Sequence, residues 1–248
     1  MKVVAIYNLK GGVGKTATAV NLAYYSAGQG YRTLLWDLDA QAAASWYFNT
    51  SQKKKLKVTK LVKDKVPLSE LIHESPFSNL DIIPSDLSYR NLDVLLSNTK
   101  GNPVRQWLSA LGEIYQVIIL DCPPSLSELA LEVLSASDLV LAPAVPTHLS
   151  FETYRNMEEI MGEKGISIDK LFPVLTMIDR RKNLHREFSD KCQKLIGKRP
   201  LGYIPYCSDI EKMGEYRAPV GEFAFRSVGN LAYQLLWDNL NKKLKQRS

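Results

Sequence analysis

Two lysines bracket three glycines near the start of the chain, in Leu9-Lys10-Gly11-Gly12-Val13-Gly14-Lys15-Thr16. Glycine adopts backbone angles that other residues resist, so such a run can bend until its N–H groups point into one concavity, which binds anions. Lys15 is spaced to reach the outer phosphates of a nucleotide, and the Thr16 hydroxyl to ligate magnesium beside them. The strict pattern GxxxxGK[ST] fails at Leu9, whereas KGGxGK[ST] matches at every position. Three glycines at fixed offsets arise by chance at about 3 in 10,000 start positions. Adding both lysines and the threonine leaves an incidental glycine turn a poor explanation.

Two apolar runs end in aspartate. QVIILD (116–121) ends at Asp121, placed to hold the hydration shell of a magnesium ion, and CPPS follows as a stiff segment. RTLLWDLDAQ supplies Asp37 and Asp39, two residues apart and so on the same side of a strand end. A carboxylate there could orient an attacking water. A capping or metal-shell role for Asp39 without catalysis is the alternative.

These residues need strands that end beside one another. VVAIYN (3–8), RTLLWDLD (32–39), LDIIPS (80–85), QVIILD (116–121), LVLAPAV (139–145), LFPVLTMID (171–179) and PLGYIPY (200–206) read as strands. Residues 15–28, 127–137, 149–164, 182–196 and 227–245 read as helices. In the last, Val228, Leu231 and Leu235 form one apolar stripe, with Leu236, Leu240 and Leu244 beside it. The aromatic run EFAFR (222–226) and Trp237 read as core. Alternating strands and helices predict an α/β fold, a doubly wound and mostly parallel sheet with helices on both faces. Ligands of such sheets bind outside the carboxyl ends of the strands, where the motifs lie.

The chain has 248 residues, 45% apolar and 23% charged, which excludes a disordered, collagenous or coiled-coil class. That length fits a single domain over 1–248. Cys122, Cys192 and Cys207 are odd in number and contain no CxxC, which argues against a disulfide framework or a bridging metal centre. His73, His148 and His185 are scattered. No signal-peptide pattern is visible and no run of about 18 apolar residues occurs, so a cytoplasmic protein is expected. The net charge of +6 is compatible with a polyanionic partner.

KGGVGKT (10–16), DLDAQ (37–41), ILDCPPS (119–125), LTMIDRR (175–181) and the IPY…APVG stretch (204–221) resemble, in order, the motifs of the ParA/MinD group of deviant Walker A P-loop ATPases. Within it the likeness is greatest to the small, Soj-like ParA proteins. The resemblance implies ATP and Mg²⁺ as cofactors and a homodimer that sandwiches two ATP molecules. It implies nucleotide contacts from Lys10, Gly11, Gly12, Val13, Gly14, Lys15, Thr16 and Ala17, with Asp179 and Pro205 around adenine. Thr16, Asp39 and Asp121 would serve the metal, and Lys10, Lys15 and Asp39 catalysis. Lys10 would cross to the partner's nucleotide, where its charge could offset charge developing in the transition state. Ala40 replaces a proline common in the family and Ala42 a frequent glycine, which bears on the rigidity of the switch loop. The first strand begins two residues after Met1, so the N-terminal helix-turn-helix of larger ParA proteins is expected to be absent.

Three basic clusters are candidates for non-specific DNA binding, which needs Lys and Arg on phosphates and little base readout. Residues 53–65 hold seven lysines, and Lys242, Lys243, Lys245 and Arg247 close the chain. The favoured cluster contains Arg180, Arg181, Lys182, Arg186, Lys191 and Lys194, because small ParA proteins are similar in using this part of the surface; Arg217 joins it from the family's basic loop. The leading expectation is a nucleoid-associated partitioning ATPase. Its ATP dimer would hold double-stranded DNA, and a cargo adaptor would stimulate otherwise weak hydrolysis and release. Cargo would be a plasmid, a chromosome origin or a protein organelle such as the carboxysome. The alternative is a MinD-like membrane-cycling regulator, but residues 239–248 offer only Leu240 and Leu244 as an apolar face. The chain has no suitably placed paired cysteines for a reductase and no feature that identifies a metabolic enzyme's substrate pocket, and a dead scaffold would not need Lys10, Lys15, Thr16, Asp39 and Asp121 together.

Overall fold

The computed structural model describes residues 1–48, 58–62, 66–97, 99 and 101–246. Its strands are β1 (Lys2–Ile6), β2 (Thr33–Asp37), β3 (His73–Glu74), β4 (Leu80–Ile83), β5 (Val117–Asp121), β6 (Leu139–Ala144), β7 (Leu171–Ile178) and β8 (Gly202–Pro205). They form one sheet in the order β3-β4-β2-β5-β1-β6-β7-β8, and every neighbouring pair but β3–β4 is parallel. The doubly wound reading holds. Strand β4 stops at Ile83 because Pro84 has no N–H for the ladder. The two-residue β3 carries no alternation to read and pairs antiparallel along the edge.

Side chains alternate across the pleat, so each central strand feeds two cores. Val3, Ala5, Tyr7, Leu34, Trp36, Ile118 and Leu120 face one layer, packed by helices Pro103–Ser109, Glu128–Ala136, His148–Glu163 and Asn183–Ile196. Val4, Ile6, Leu35, Val117 and Ile119 face the other, under α1 (Lys15–Gly28) and the closing helix (Val228–Lys245). No helix among the described residues is long and apolar enough to cross a membrane.

The closing helix differs from the two-stripe reading. Leu236, Trp237, Leu240 and Leu244 are buried, whereas Val228, Leu231 and Leu235 are 64%, 49% and 64% exposed. At 3.6 residues per turn Leu231 and Leu236 project about 140° apart. A helix laid on one surface cannot bury both. Phe225 is likewise exposed rather than core, while Phe223 is half-buried. The two stripes should therefore respond differently to truncation. Leu240→Ala is expected to cost about 2–5 kcal/mol and Leu235→Ala under about 0.5 kcal/mol in urea denaturation. Equal losses would contradict the orientation of this helix.

Candidate active site

Strand register brings the motif residues together. Asp121 lies opposite Ile6 of β1 on one side and opposite Asp37 of β2 on the other. The three strands are parallel, so the segments after Ile6, Asp37 and Asp121 leave the same edge of the sheet. Leu38 N–H donates to the Asp121 carbonyl at 2.9 Å and Cys122 N–H to that of Ile6 at 3.2 Å, extending the pairing past the strand ends.

The glycine loop turns through Gly12 and Gly14, at φ 70° and 85°, where a Cβ would strain the backbone. Gly14 is the N-cap of α1, so Lys15 and Thr16 form its first turn and Ala17 follows, half-buried. The N–H groups of that turn and the positive end of the helix dipole favour an anion. Two side chains not singled out from sequence fix the loop. Buried Asn8 donates from Nδ2 to the Pro143 carbonyl at 2.7 Å and accepts from Lys10 N–H at 2.9 Å. Thr176 Oγ1 donates to the Val13 carbonyl at 2.8 Å. Their signal was a polar residue closing or interrupting an apolar strand run. Lys15 is buried and its Nζ donates to the Lys10 carbonyl at 2.9 Å. Burial lowers its pKa, opposed chiefly by Asp121. No hydrogen bond or ion pair engages the Lys10 ammonium among the described residues.

The carboxylates differ in their surroundings. Asp121 is fully buried, and neither oxygen has a hydrogen-bond partner among the described residues. Burial, and then the neighbouring Asp37, hold its pKa well above the usual carboxylate range, and the nearby Thr16 hydroxyl and Lys15 counter this only in part. A buried, unpartnered carboxylate beside a hydroxyl fits a hard cation, and Mg²⁺ takes few protein ligands plus phosphate oxygens. Asp37 is equally buried but accepts from Ser45 N–H at 2.9 Å, Ser45 Oγ at 2.7 Å and Asp39 N–H at 3.2 Å. Burial raises it to about 6 against those bonds. Ser45 Oγ in turn accepts from Ser85 N–H at 2.9 Å, tying the loop to the end of β4. Asp39 is half-exposed, and its Oδ1 accepts from Gln41 N–H at 2.9 Å, closing its own turn. Ala42 then stands at φ 54°, a left-handed conformation that costs a non-glycine residue about 1–2 kcal/mol. This gives a physical reason for the glycine frequent there in the family.

Asp179 and Pro205 lie at neighbouring strand ends, since Ile178 pairs with Pro205. An irregularity in β7, with Met177 at φ 53°, sets Met177 and Thr176 against Gly14. Asp179 is held by Arg181 through two bonds of 2.9 Å, which keep its carboxyl well below the usual range. Helix Asn183–Ile196 buries His185, Phe188, Cys192 and Ile196 and turns Arg186, Lys191 and Lys194 to solvent, next to exposed Arg180, Arg181 and Lys182. Lys191 is paired with Glu187 at 2.6 Å, so it and Arg181 are partly neutralised. Arg180, Lys182, Arg186 and Lys194 form no ion pair among the described residues. Arg217 lies apart from that helix, stacked on Trp46 at 3.8 Å. Most of the 53–65 cluster, and Arg247, fall outside the described residues.

A glycine loop capping α1, a buried carboxylate on the adjacent strand and a doubly wound parallel sheet define a P-loop nucleotide-binding domain. Residues 1–164 match the AAA domain family AAA_31. The chain is 32% identical to the sporulation initiation inhibitor protein Soj of Bacillus subtilis over 78% of this chain and 79% of that protein. It is 29% identical to the chromosome partitioning protein ParA of Myxococcus xanthus, over 98% of this chain and 88% of that one. Its fold is similar to that of apo McdA from Cyanothece, with a TM-score of 0.86 at 19% identity, covering 97% of this chain and 99% of that one. The chain belongs to the ParA/Soj family of P-loop ATPases.

The Asp37–Ser45–Ser85 chain predicts that Ser45 positions the loop bearing Asp39. Ser45→Ala leaves a buried carboxylate and a buried N–H short of a partner, and is expected to cost about 1–3 kcal/mol in denaturant unfolding. Unchanged stability would remove this network from the account.

Proposed function

We propose that the chain is a partitioning ATPase whose ATP-bound homodimer holds double-stranded DNA without sequence preference and releases it after hydrolysis. The observation that carries this reading is buried Asp121, beside Lys15 and Thr16 and without a hydrogen-bond partner among the described residues. ATP with Mg²⁺ would supply the phosphate charge and the cation that this set lacks. Lys10, Gly11, Gly12, Val13, Gly14, Lys15, Thr16 and Ala17 would contact the nucleotide, with Asp179 and Pro205 toward adenine. Thr16 and Asp121 would hold the metal, and Asp39 its shell or the attacking water. Lys15 must exchange the Lys10 carbonyl for phosphate oxygens. Lys10, whose ammonium has no partner among the described residues, suits a nucleotide brought by a second subunit.

The DNA surface would be the exposed cationic face of residues 180–194 together with Arg217, doubled by two-fold symmetry. The energy comes from the difference in DNA affinity between nucleotide states, stimulated by a cargo adaptor. One domain over 1–248, cytoplasmic and nucleoid-associated, completes the reading. The Myxococcus relative is named for chromosome partitioning, which supports cargo of that class. Against the membrane-cycling alternative, Leu240 and Leu244 are both buried, so residues 239–246 offer no apolar face to a bilayer.

Two measurements test this reading. Lys15→Ala should lose ATP binding, whereas Lys10→Ala should bind ATP nearly normally and hydrolyse it at least about 10-fold more slowly. Wild-type turnover in Lys10→Ala with the dimer intact would exclude a trans-acting lysine. DNA titrations with ATP, ADP and no nucleotide at two salt concentrations should show ATP-selective binding that weakens steeply with salt. Charge reversal at Arg180, Arg181 and Arg186 should flatten that dependence by about one slope unit per lost phosphate contact. Binding indifferent to nucleotide would sink the partitioning cycle.

A further inference from the structure

Arg217 is fixed from two directions. At the base of its loop, buried Asn21 of α1 donates from Nδ2 to Met213 Sδ at 3.2 Å and accepts from Val220 N–H at 2.9 Å. One side chain thus anchors both ends of the segment whose apex is Arg217. At the tip, the guanidinium stacks on the Trp46 indole at 3.8 Å, and Nε donates to the Trp46 carbonyl at 3.2 Å. Trp46 Nε1 reaches back to the Gly214 carbonyl at 3.4 Å. Stacking and Nε bond leave the terminal nitrogens of Arg217 without a partner among the described residues, directed by an indole rather than by a flexible stem.

Trp46 belongs to the short helix Ala43–Tyr47, which follows the turn closed by Asp39 and is entered through left-handed Ala42. The neighbouring Ser45 is bound to Asp37. The same five-residue helix is therefore tied to the carboxylate site on one side and to Arg217 on the other. Arg217 is itself left-handed, at φ 51°, so the clasp joins one strained position to a helix entered through another.

We propose that Trp46 is a positioning residue for Arg217, carrying movement of the Asp39 loop to the cationic surface and so making DNA affinity depend on the bound nucleotide. This rests on the DNA-binding reading of Arg217 given above. Recognition would be of a nucleic-acid phosphate by the terminal guanidinium nitrogens.

Fluorescence tests the clasp without DNA. Trp46 is 54% exposed, while Trp36, Trp107 and Trp237 are 0%, 8% and 0% exposed, so quenching by acrylamide reads Trp46. Arg217→Ala should raise the quenching constant, and a non-hydrolysable ATP analogue with Mg²⁺ should shift the wild-type constant relative to ADP. Failure of either overturns the proposal. In DNA titrations, Trp46→Ala should lower the ratio of ATP-state to ADP-state affinity by about fivefold or more, with Trp46→Phe restoring most of it. An unchanged ratio in Trp46→Ala also overturns it. A wild-type fluorescence shift without nucleotide-dependent DNA binding would support the clasp and refute the DNA-binding reading instead.

Discussion

Two carboxylates are buried side by side where adjacent parallel strands end, and the surrounding loops are arranged by that constraint. Asp37 and Asp121 are opposite one another in register. Like charges in a low-dielectric interior disfavour each other's ionisation. Asp37 is relieved by three donors from the loop that follows it. Asp121 is not, and the neighbouring cation, Lys15, is engaged with the Lys10 carbonyl. Both Asp121 oxygens are therefore buried without a hydrogen-bond partner among the described residues. A cation beside Asp121 and an anion beside Lys15 would relieve both at once, and binding a pair of that kind stabilises the folded state by mass action.

Sequence disclosed this edge through glycine and aspartate positions because both residue types answer to local backbone rules. Gly12 and Gly14 do occupy left-handed angles, and Asp121 does end a central strand. The doubly wound class followed from alternation alone, whereas the strand order did not. What sequence did not disclose was tertiary. Asn8 and Thr176 hold the glycine loop through contacts 135 and 163 residues away in the chain, which no local pattern announces. Arg181 and Asp179 were given to different surfaces, although two residues apart they pair with each other. The exposed stripe of Val228, Leu231 and Leu235 was invisible because periodicity gives the angle between stripes but not which of them meets the sheet.

The cationic face has a different physical basis from the carboxylate edge. Helix Asn183–Ile196 buries residues spaced three and four apart, so its remaining positions turn away from the core, among them Arg186, Lys191 and Lys194. Exposed cations of this kind contribute little to folding. On the DNA-binding reading proposed above, their value would lie in counterion release from the polyanion, which adds up over contacts and would be doubled by a two-fold axis. A surface of this type needs no precise geometry, whereas the phosphate edge does. That contrast accounts for loop anchors being buried and hydrogen-bonded while the cations of 180–194 are mostly unpaired.

The coupling proposed between Arg217 and the carboxylate edge needs an element that touches both. The helix Ala43–Tyr47 is short, is held to Asp37 through Ser45, and presents its exposed indole to Arg217. Ala42 matters here because a left-handed alanine gains by any movement that returns it to an ordinary conformation. Met177, also left-handed, abuts Gly14 from β7 just before Asp179. Left-handed Ala42 thus borders the carboxylate edge and Met177 the glycine loop, at the irregular end of β7, while Asn79 is left-handed before the start of β4. A rigid sheet with strained rims can change its loops without changing its core, which is the mechanical requirement of a nucleotide switch.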